Sequence, residues 1–453
     1  MVPIPKSFTF SKYTADWTAG ILTFSYATEL VDGTKHEFTE TLQIPGAIDI
    51  QRASHPSVAR VCEMIHMTLG VSYFKLFGPS EIVHPYSFTP SQASYWELLY
   101  TQGLGEYYYT NGLDFQGRVH FTASEGVKQS DVLPLQQRAL ILHGGGKDSI
   151  VSVEIAKKAG IDFDLFAVSE YDIQKAVAEI IGKKTCSIKR TVDQHMIELN
   201  KEGNVYNGHV PISAVYATVA FLYALLFDYA FVVVSNELSA VYGNVMYKGM
   251  NINHQWSKSQ EFESATRSYL AGIVGDSLQF FSLLRPLYEI QIAKIFTNYP
   301  QYFEVFSSSN HNFTLDQSGE KRRWSVEFSK GKVEFVWALL SAFLPKSEML
   351  RIFQEDIYSR IDCLDRFKEL LGVKDIKPLD CVGTPQEVIV AMYLCSLRGE
   401  MNETPVMKYF LEEVLPSRIE SIQDDLAECF RYGDDSHLPE AFKSALSAIL
   451  KTS

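Results

Sequence analysis

The chain has 453 residues, of which 46% are hydrophobic, 13% aromatic and 21% charged. That is too apolar for a disordered segment, carries no heptad pattern for a coiled coil, and leaves length for two or three compact units at roughly 150 residues each. With 41 Lys and Arg against 54 Asp and Glu, the formal net charge is -13, so repulsion from phosphates disfavours a nucleic-acid partner.

Six cysteines, Cys62, Cys186, Cys363, Cys381, Cys395 and Cys429, are scattered without a CxxC pair. This usage suits a reducing compartment. Met1 to Phe8 holds no apolar run of signal-peptide length, and a cytoplasmic location is expected.

Residues 1–135 alternate polar and apolar side chains, as in Ile21-Leu22-Thr23-Phe24-Ser25-Tyr26 and from His36 to Leu42; the alternation predicts a β-rich α+β region. Residues 136–300 change to longer elements. The apolar run Arg138 to His143 leads into three glycines and a helical pattern from Ser149 to Ala159 that stops at Gly160. Strands follow at Asp164 to Val168, Thr185 to Lys189 and Phe231 to Val234, with an uncharged stretch from Val210 to Phe227 before the last. Strands separated by helices predict a parallel sheet covered on both faces. The uncharged stretch touches the lower limit of a membrane span. Pro211, Ser213 and Thr218 interrupt it and Asp228 ends it, so it reads as a helix covered by protein, with no membrane span. Residues 301–453 read as mostly helical, with helices at Val333 to Phe343, Glu348 to Glu355, Pro385 to Leu397 and Pro439 to Leu450, and Ser307 to Asn310 as a loop.

The stretch His143-Gly144-Gly145-Gly146-Lys147-Asp148-Ser149 stands where a strand hands over to a helix. Glycines let backbone amides approach an anion there, and the helix start adds unpaired N–H groups and its positive dipole end. Two familiar phosphate loops fail on spacing. A Walker loop needs glycine where Ile141 stands and Ser or Thr where Asp148 stands; a dinucleotide fingerprint needs a third glycine where Ser149 stands. An ordinary strand-to-helix turn is the plain alternative.

Ser235-Asn236-Glu237-Leu238-Ser239-Ala240 follows a predicted strand and so shares the carboxyl edge of the sheet with the glycine turn, the edge along which such sheets bind ligands. Glu237 suits Mg²⁺, a substrate ammonium or a hydroxyl, and equally a solvated turn. The segment Asn253 to Glu263 is dense in polar groups. Ser257 and Gln260 have capping-box spacing, while His254 and Lys258 are candidates for anion binding or proton transfer. His209, after Asn207-Gly208, is either a turn histidine or a third candidate.

The turn resembles the pyrophosphate loop of the ATP pyrophosphatases, S-G-G-x-D-S, with Gly144 in place of the first Ser and Gly145, Gly146, Asp148 and Ser149 matching. In that superfamily the loop grips the β- and γ-phosphates and leaves the α-phosphate open to a nucleophile. Gly144 to Ser149, Asn207 to Val210, Ser235 to Ala240, Asn253 to Glu263 and Cys381-Val382-Gly383-Thr384-Pro385 together resemble the MurL family, UDP-N-acetyl-α-D-muramoyl-L-alanyl-L-glutamate epimerases. The resemblance implies an α/β fold: a parallel-sheet PP-loop core, similar to the adenine nucleotide alpha hydrolases, with the β-rich region before it and the helical region after it. It also implies inversion of the terminal L-glutamate of UDP-N-acetylmuramoyl-L-alanyl-L-glutamate through a carboxyl-adenylate, with release of AMP and diphosphate, in peptidoglycan precursor synthesis. ATP and Mg²⁺ are the implied cofactors, and a downstream muramoyl ligase is the pathway neighbour.

By the same resemblance, Gly144, Gly145, Gly146, Asp148 and Ser149 meet the ATP phosphates with Lys147 in support. Asp148 and Glu237 serve the Mg²⁺ neighbourhood, and proton transfer falls to His209, His254 or Lys258. One departure stands out. The family pattern W-C-x-x-C-x-K-C is matched at Trp324 and Lys330, but its cysteine positions hold Ser325, Phe328 and Gly331, which removes a thiolate set suited to zinc. Two rival functions remain: another adenylating PP-loop enzyme that forms an amide or nitrile or thiolates its substrate, and a nucleotide-binding regulator without turnover.

Overall fold

A computed structural model describes residues 2–124, 132–309, 323–374 and 376–452. Its strands are β1 (Pro5–Asp16), β2 (Ile21–Leu30), β3 (Lys35–Gln43), β4 (Glu81–Val83), β5 (Ala139–Leu142), β6 (Phe163–Val168), β7 (Thr185–Thr191), β8 (Phe231–Val234), β9 (Val245–Tyr247), β10 (Met250–Ile252) and β11 (Gln279–Ser282). Nine of these form one sheet in the order β11-β8-β5-β6-β7-β3-β2-β1-β4, and β9 and β10 form a separate hairpin. Strands β11, β8, β5, β6 and β7 run parallel. The first three strands pair antiparallel with each other, and β3 joins β7 antiparallel through Thr41–Thr191 to Gln43–Lys189. The meander of the first region and the α/β core are therefore one continuous, mostly parallel sheet.

Two cores form because the central strands bury both faces. Ala139, Ile141, Leu165, Phe231, Val233 and Phe281 point into one core, whose other wall comes from the helices Lys147–Ala159, Glu289–Phe296, Lys332–Ser341, Pro385–Arg398 and Glu440–Leu450. Alternate residues, Leu140, Phe166, Val168, Val232, Val234 and Phe280, point into the second core under the helices Pro56–Leu69, Pro90–Thr101, Ile212–Phe227 and Gln260–Val274. The two-residue period of a strand makes this division. The C-terminal helices thus cover one face of the sheet. The first-region strands are buried on one face only, so β2 shows alternate burial along its length.

The apolar stretch forms the helix Ile212–Phe227, stopped by Asp228 in a left-handed conformation, φ 70°. It packs against the helix Pro56–Leu69 and strands β5, β6 and β8. Among the described residues, no helix is long and apolar enough to cross a membrane. The four expected C-terminal helices form at Lys332–Ser341, Lys346–Phe353, Pro385–Arg398 and Glu440–Leu450. The expected cap at Ser257 is corrected: Ser259 caps the helix Gln260–Val274 by accepting from the Phe262 amide, because Trp256–Lys258 forms a separate 3-10 turn.

Candidate active site

The chain steps from β5 to β6 and β7 on one side of the sheet, then to β8 and β11 on the other. The carboxyl end of β5 is therefore the point where the winding reverses, the place where such sheets open a crevice. The three glycines lie there. Gly145 has φ 74°, and a Cβ on it would stand 2.6 Å from Ile173 Cγ2; a Cβ on Gly146 would stand 3.0 Å from Ser308 Oγ. A Cβ on Gly144 would meet nothing within 4 Å. Gly145 and Gly146 are glycine for the packing of the turn, whereas Gly144 is open to whatever approaches. Gly146 precedes the helix Lys147–Ala159, and no side chain caps that helix start, so its first-turn amides keep their capacity for an anion. Ser307, in the expected loop, donates its amide to the Gly145 carbonyl at 3.2 Å, and Ser308 Oγ is buried without a partner among the described residues; Asn310 lies outside them.

Below the turn is a buried charge cluster. Lys147 has no exposed surface and donates to Asp148 and to Glu289. Lys332 Nζ reaches the other Glu289 oxygen at 3.3 Å. Burial works against the Lys147 and Lys332 charges, yet the carboxylates outweigh it and raise both lysines; the two ammoniums in turn hold Glu289 low against its own burial. Glu237 is 3% exposed, with Oε1 unpartnered among the described residues. Burial and then the Glu289 charge raise its carboxyl, and the Lys258 cation opposes them. A buried acceptor lacking a donor invites a cation or a donor from a ligand, so the solvated-turn reading of Glu237 is excluded.

A second cluster continues from the first. His254 Nδ1 meets Glu106 Oε2, and its ring lies 4.2 Å from the His209 ring, centroid to centroid. Lys258 Nζ donates to Cys381 Sγ at 3.2 Å. His209, His254, Lys258, Cys381 and Asp148 each keep part of their surface open, so they can reach a bound molecule while Lys147, Glu289 and Lys332 cannot. Burial, then the neighbouring His254 charge, pulls His209 far down. The backbone beneath is fixed by Arg285, 2% exposed, which donates to the carbonyls of Glu237 at 2.6 Å and Lys258 at 2.7 Å and pairs with Glu263.

Ligand atoms of Glu106, His209 and His254 lie within 4.8 Å of one another, as do those of His254, Asp380 and Cys381. The Lys258 ammonium already sits on the Cys381 sulfur, and a fixed cation there repels a metal ion from the second group. The arrangement offers an anion cradle, a buried cation layer and, joined to that layer through the Lys332 amide on Asp380, imidazoles, a thiol and an ammonium.

The glycine turn and Glu237 stand at the carboxyl ends of β5 and β8, on one edge of the sheet, and His209, His254 and Lys258 belong to the second cluster, whereas Trp324 is packed in the first core. The sequence reading missed Glu106, Glu289, Lys332 and Asp380 and gave Cys381 no role. For Glu289 and Lys332 a signal existed: a charge at the first position of an apolar helix. At the altered cysteine positions Phe328 is 60% exposed, and Gly331, with φ 127°, precedes the helix that carries Lys332.

Residues 3–283 match the MurL N-terminal domain and residues 305–425 the MurL C-terminal domain. Three relatives carry the name UDP-N-acetyl-alpha-D-muramoyl-L-alanyl-L-glutamate epimerase. The one from Xanthomonas oryzae pv. oryzae is 34% identical over 91% of this chain and 90% of its own length. Those from a Micromonospora species and Salinispora tropica are each 33% identical, over 97% and 98% of this chain and 98% and 96% of theirs. Both domain matches and near full-length similarity lead to one conclusion: the chain belongs to the MurL family.

Proposed function

We propose that this protein is an ATP-dependent epimerase that inverts the terminal L-glutamate of UDP-N-acetylmuramoyl-L-alanyl-L-glutamate to D-glutamate through a carboxyl-adenylate, releasing AMP and diphosphate. The observation that carries the reading is the uncapped glycine turn at the winding reversal of the sheet, beside a part-open cluster of imidazole, thiol and ammonium. The names of its relatives supply the substrate.

The chemistry needs both halves. An α-hydrogen beside an ionised carboxylate is very weakly acidic, since its removal makes a dianion; esterifying that carboxylate to AMP removes the charge. On this reading Gly144, Gly145 and Gly146 with the Ser149 turn present amides to the triphosphate in a PP-loop manner, and Lys147 adds positive potential from below. Asp148, part-exposed, and Glu237, with its orphan oxygen, suit Mg²⁺, which would neutralise phosphate charge when bound. On this reading His209, His254 and Lys258 serve the deprotonation and reprotonation of the activated carbon, and positive charge there stabilises the enolate. The reaction belongs to peptidoglycan precursor synthesis in the cytoplasm, and the D-glutamyl product passes to a muramoyl ligase.

The test is a coupled assay with ATP, Mg²⁺ and the L,L-dipeptide nucleotide. Diphosphate release together with D-glutamate after acid hydrolysis is expected. ADP with orthophosphate rejects the reading, diphosphate without inversion points to another adenylating enzyme, and ATP binding without turnover points to a regulator.

A further inference from the structure

Cys381, which has no role above, stands at the end of a relay. Glu106 engages His254 Nδ1, a His254 ring nitrogen lies within 4.8 Å of the Cys381 sulfur, and Lys258 Nζ donates to that sulfur. Sulfur, imidazole and carboxylate in that order is the arrangement that activates a thiol as a nucleophile: the ring manages the proton and the third group orients the ring. The backbone holding the sulfur is pinned as well, since Asp380 accepts from the Cys381 amide at 2.8 Å and from the Lys332 amide at 3.2 Å.

The charges agree with the geometry. Burial alone would raise the thiol, yet Lys258 and His254 outweigh it and lower Cys381 to about 7. Burial also works against the His254 charge, yet the neighbouring Cys381 and Glu106 hold it up at about 10. Between these values the pair stands as thiolate and imidazolium, the state of reactive cysteines beside a histidine cation. The other five thiols, at Cys62, Cys186, Cys363, Cys395 and Cys429, are all pushed up by burial.

We infer that Cys381 is a covalent nucleophile that takes the glutamyl group from the adenylate, so that inversion occurs on a Cys381 thioester. The inference rests on the adenylate proposed above. The thiolate lone pair forms the S–C bond at the acyl carbon while the C–O bond to the phosphate breaks and AMP leaves with that electron pair. Sulfur donates little electron density to the carbonyl, so the α-hydrogen stays acidic and the acyl group stays tethered through the slow carbon-acid step. Acylation also removes the thiolate that helps keep His254 protonated, so His254 releases its proton to solvent; the neutral ring then accepts a proton from water as the water oxygen bonds the acyl carbon, the C–S bond breaks with its electron pair returning to sulfur, and thiolate and imidazolium re-form.

The experiment is rapid quenching of the full-length enzyme with ATP, Mg²⁺ and the L,L-dipeptide nucleotide, followed by intact and peptide mass spectrometry. The expected result is an adduct of substrate less one water on the Cys381 peptide, released by neutral hydroxylamine. Cys381→Ala and the near-isosteric Cys381→Ser are expected to release diphosphate in the first turnover but to show no adduct, with D-glutamate formation down by about 10³-fold. Should either variant fold poorly, the wild-type adduct decides. Inversion by either variant at near wild-type rate, or wild-type turnover with no labelled Cys381 peptide, would overturn this inference alone. Wild-type inversion without diphosphate release would overturn the adenylate reading and this one with it.

Discussion

Lys147 and Glu289 lie 142 positions apart and form an ion pair whose side chains are 0% and 2% exposed. The pair ties the first turn of the helix after the glycine bend to the start of the helix Glu289–Phe296, and Lys332 shares the same carboxylate. Removing one partner of a buried pair strands the other charge. Glu289→Leu leaves two ammoniums with no shared carboxylate and is expected to lower stability by about 3–5 kcal/mol in urea unfolding. Adding Lys332→Met should recover part of that loss. A change under about 0.5 kcal/mol would show that the pair does not hold the fold.

Gly144 and Gly145 should separate binding from folding. Gly145→Ala places a methyl 2.6 Å from Ile173 at positive φ and is expected to destabilise by about 1–2 kcal/mol from the backbone alone, with the clash adding to it. Gly144→Ala meets nothing in the protein, so its unfolding midpoint should stay near wild type while ATP affinity, read by calorimetry, falls by about tenfold or more. Unchanged affinity would remove the turn from the nucleotide site.

Asp148 is part-exposed at the helix start. Asp148→Ala is expected to abolish AMP formation with the circular dichroism of wild type, while the melting midpoint falls because the buried Lys147 loses one of its two carboxylate partners. Full activity in this variant would exclude it from the phosphate and Mg²⁺ neighbourhood.

The thiol of Cys381 is held near 7, below its ordinary 9.0. Lys258, His254 and Asp380 face it, and Lys332 and Lys377 also feel its charge. A lowered acid is ionised above its folded value, so activity and alkylation of Cys381 should fall as pH drops through about 7. Its contribution to stability has the same sign: full above about 9, lost as pH falls through about 7. Lys258→Met removes the first of the opposing cations, and the acid limb of kcat/KM should move to higher pH. A limb that stays put would show that Cys381 does not set it.

Glu106 acts through His254. Glu106→Gln removes a charge that helps keep the ring protonated, so kcat should fall by about 10²-fold with KM for ATP unchanged, and the alkaline limb set by His254 should move to lower pH. An unmoved limb would reduce Glu106 to packing.

The local elements were legible because their causes are local. The apolar run at Phe231–Val234, the glycine stop at Gly160 and the Pro385 helix start with its Thr384–Glu387 capping box need only neighbours in the chain. Where the cap is set by a turn that competes for the same residues, as at Ser257 against Ser259, spacing alone misplaced it.

By itself the sequence determined the strand-turn-helix unit carrying Gly144 to Ser149, the alternation that places helices on both sides of a sheet, and the polar segments at Glu237 and His254. Only the tertiary structure decided that β3 joins β7 into one sheet and that Glu106, Lys258 and His254 converge on Cys381 from two distant segments. The reason is physical: periodicity and caps act within a few residues, whereas a charge can be buried only when another part of the chain supplies its counter-charge, and that partner is chosen by how the sheet winds.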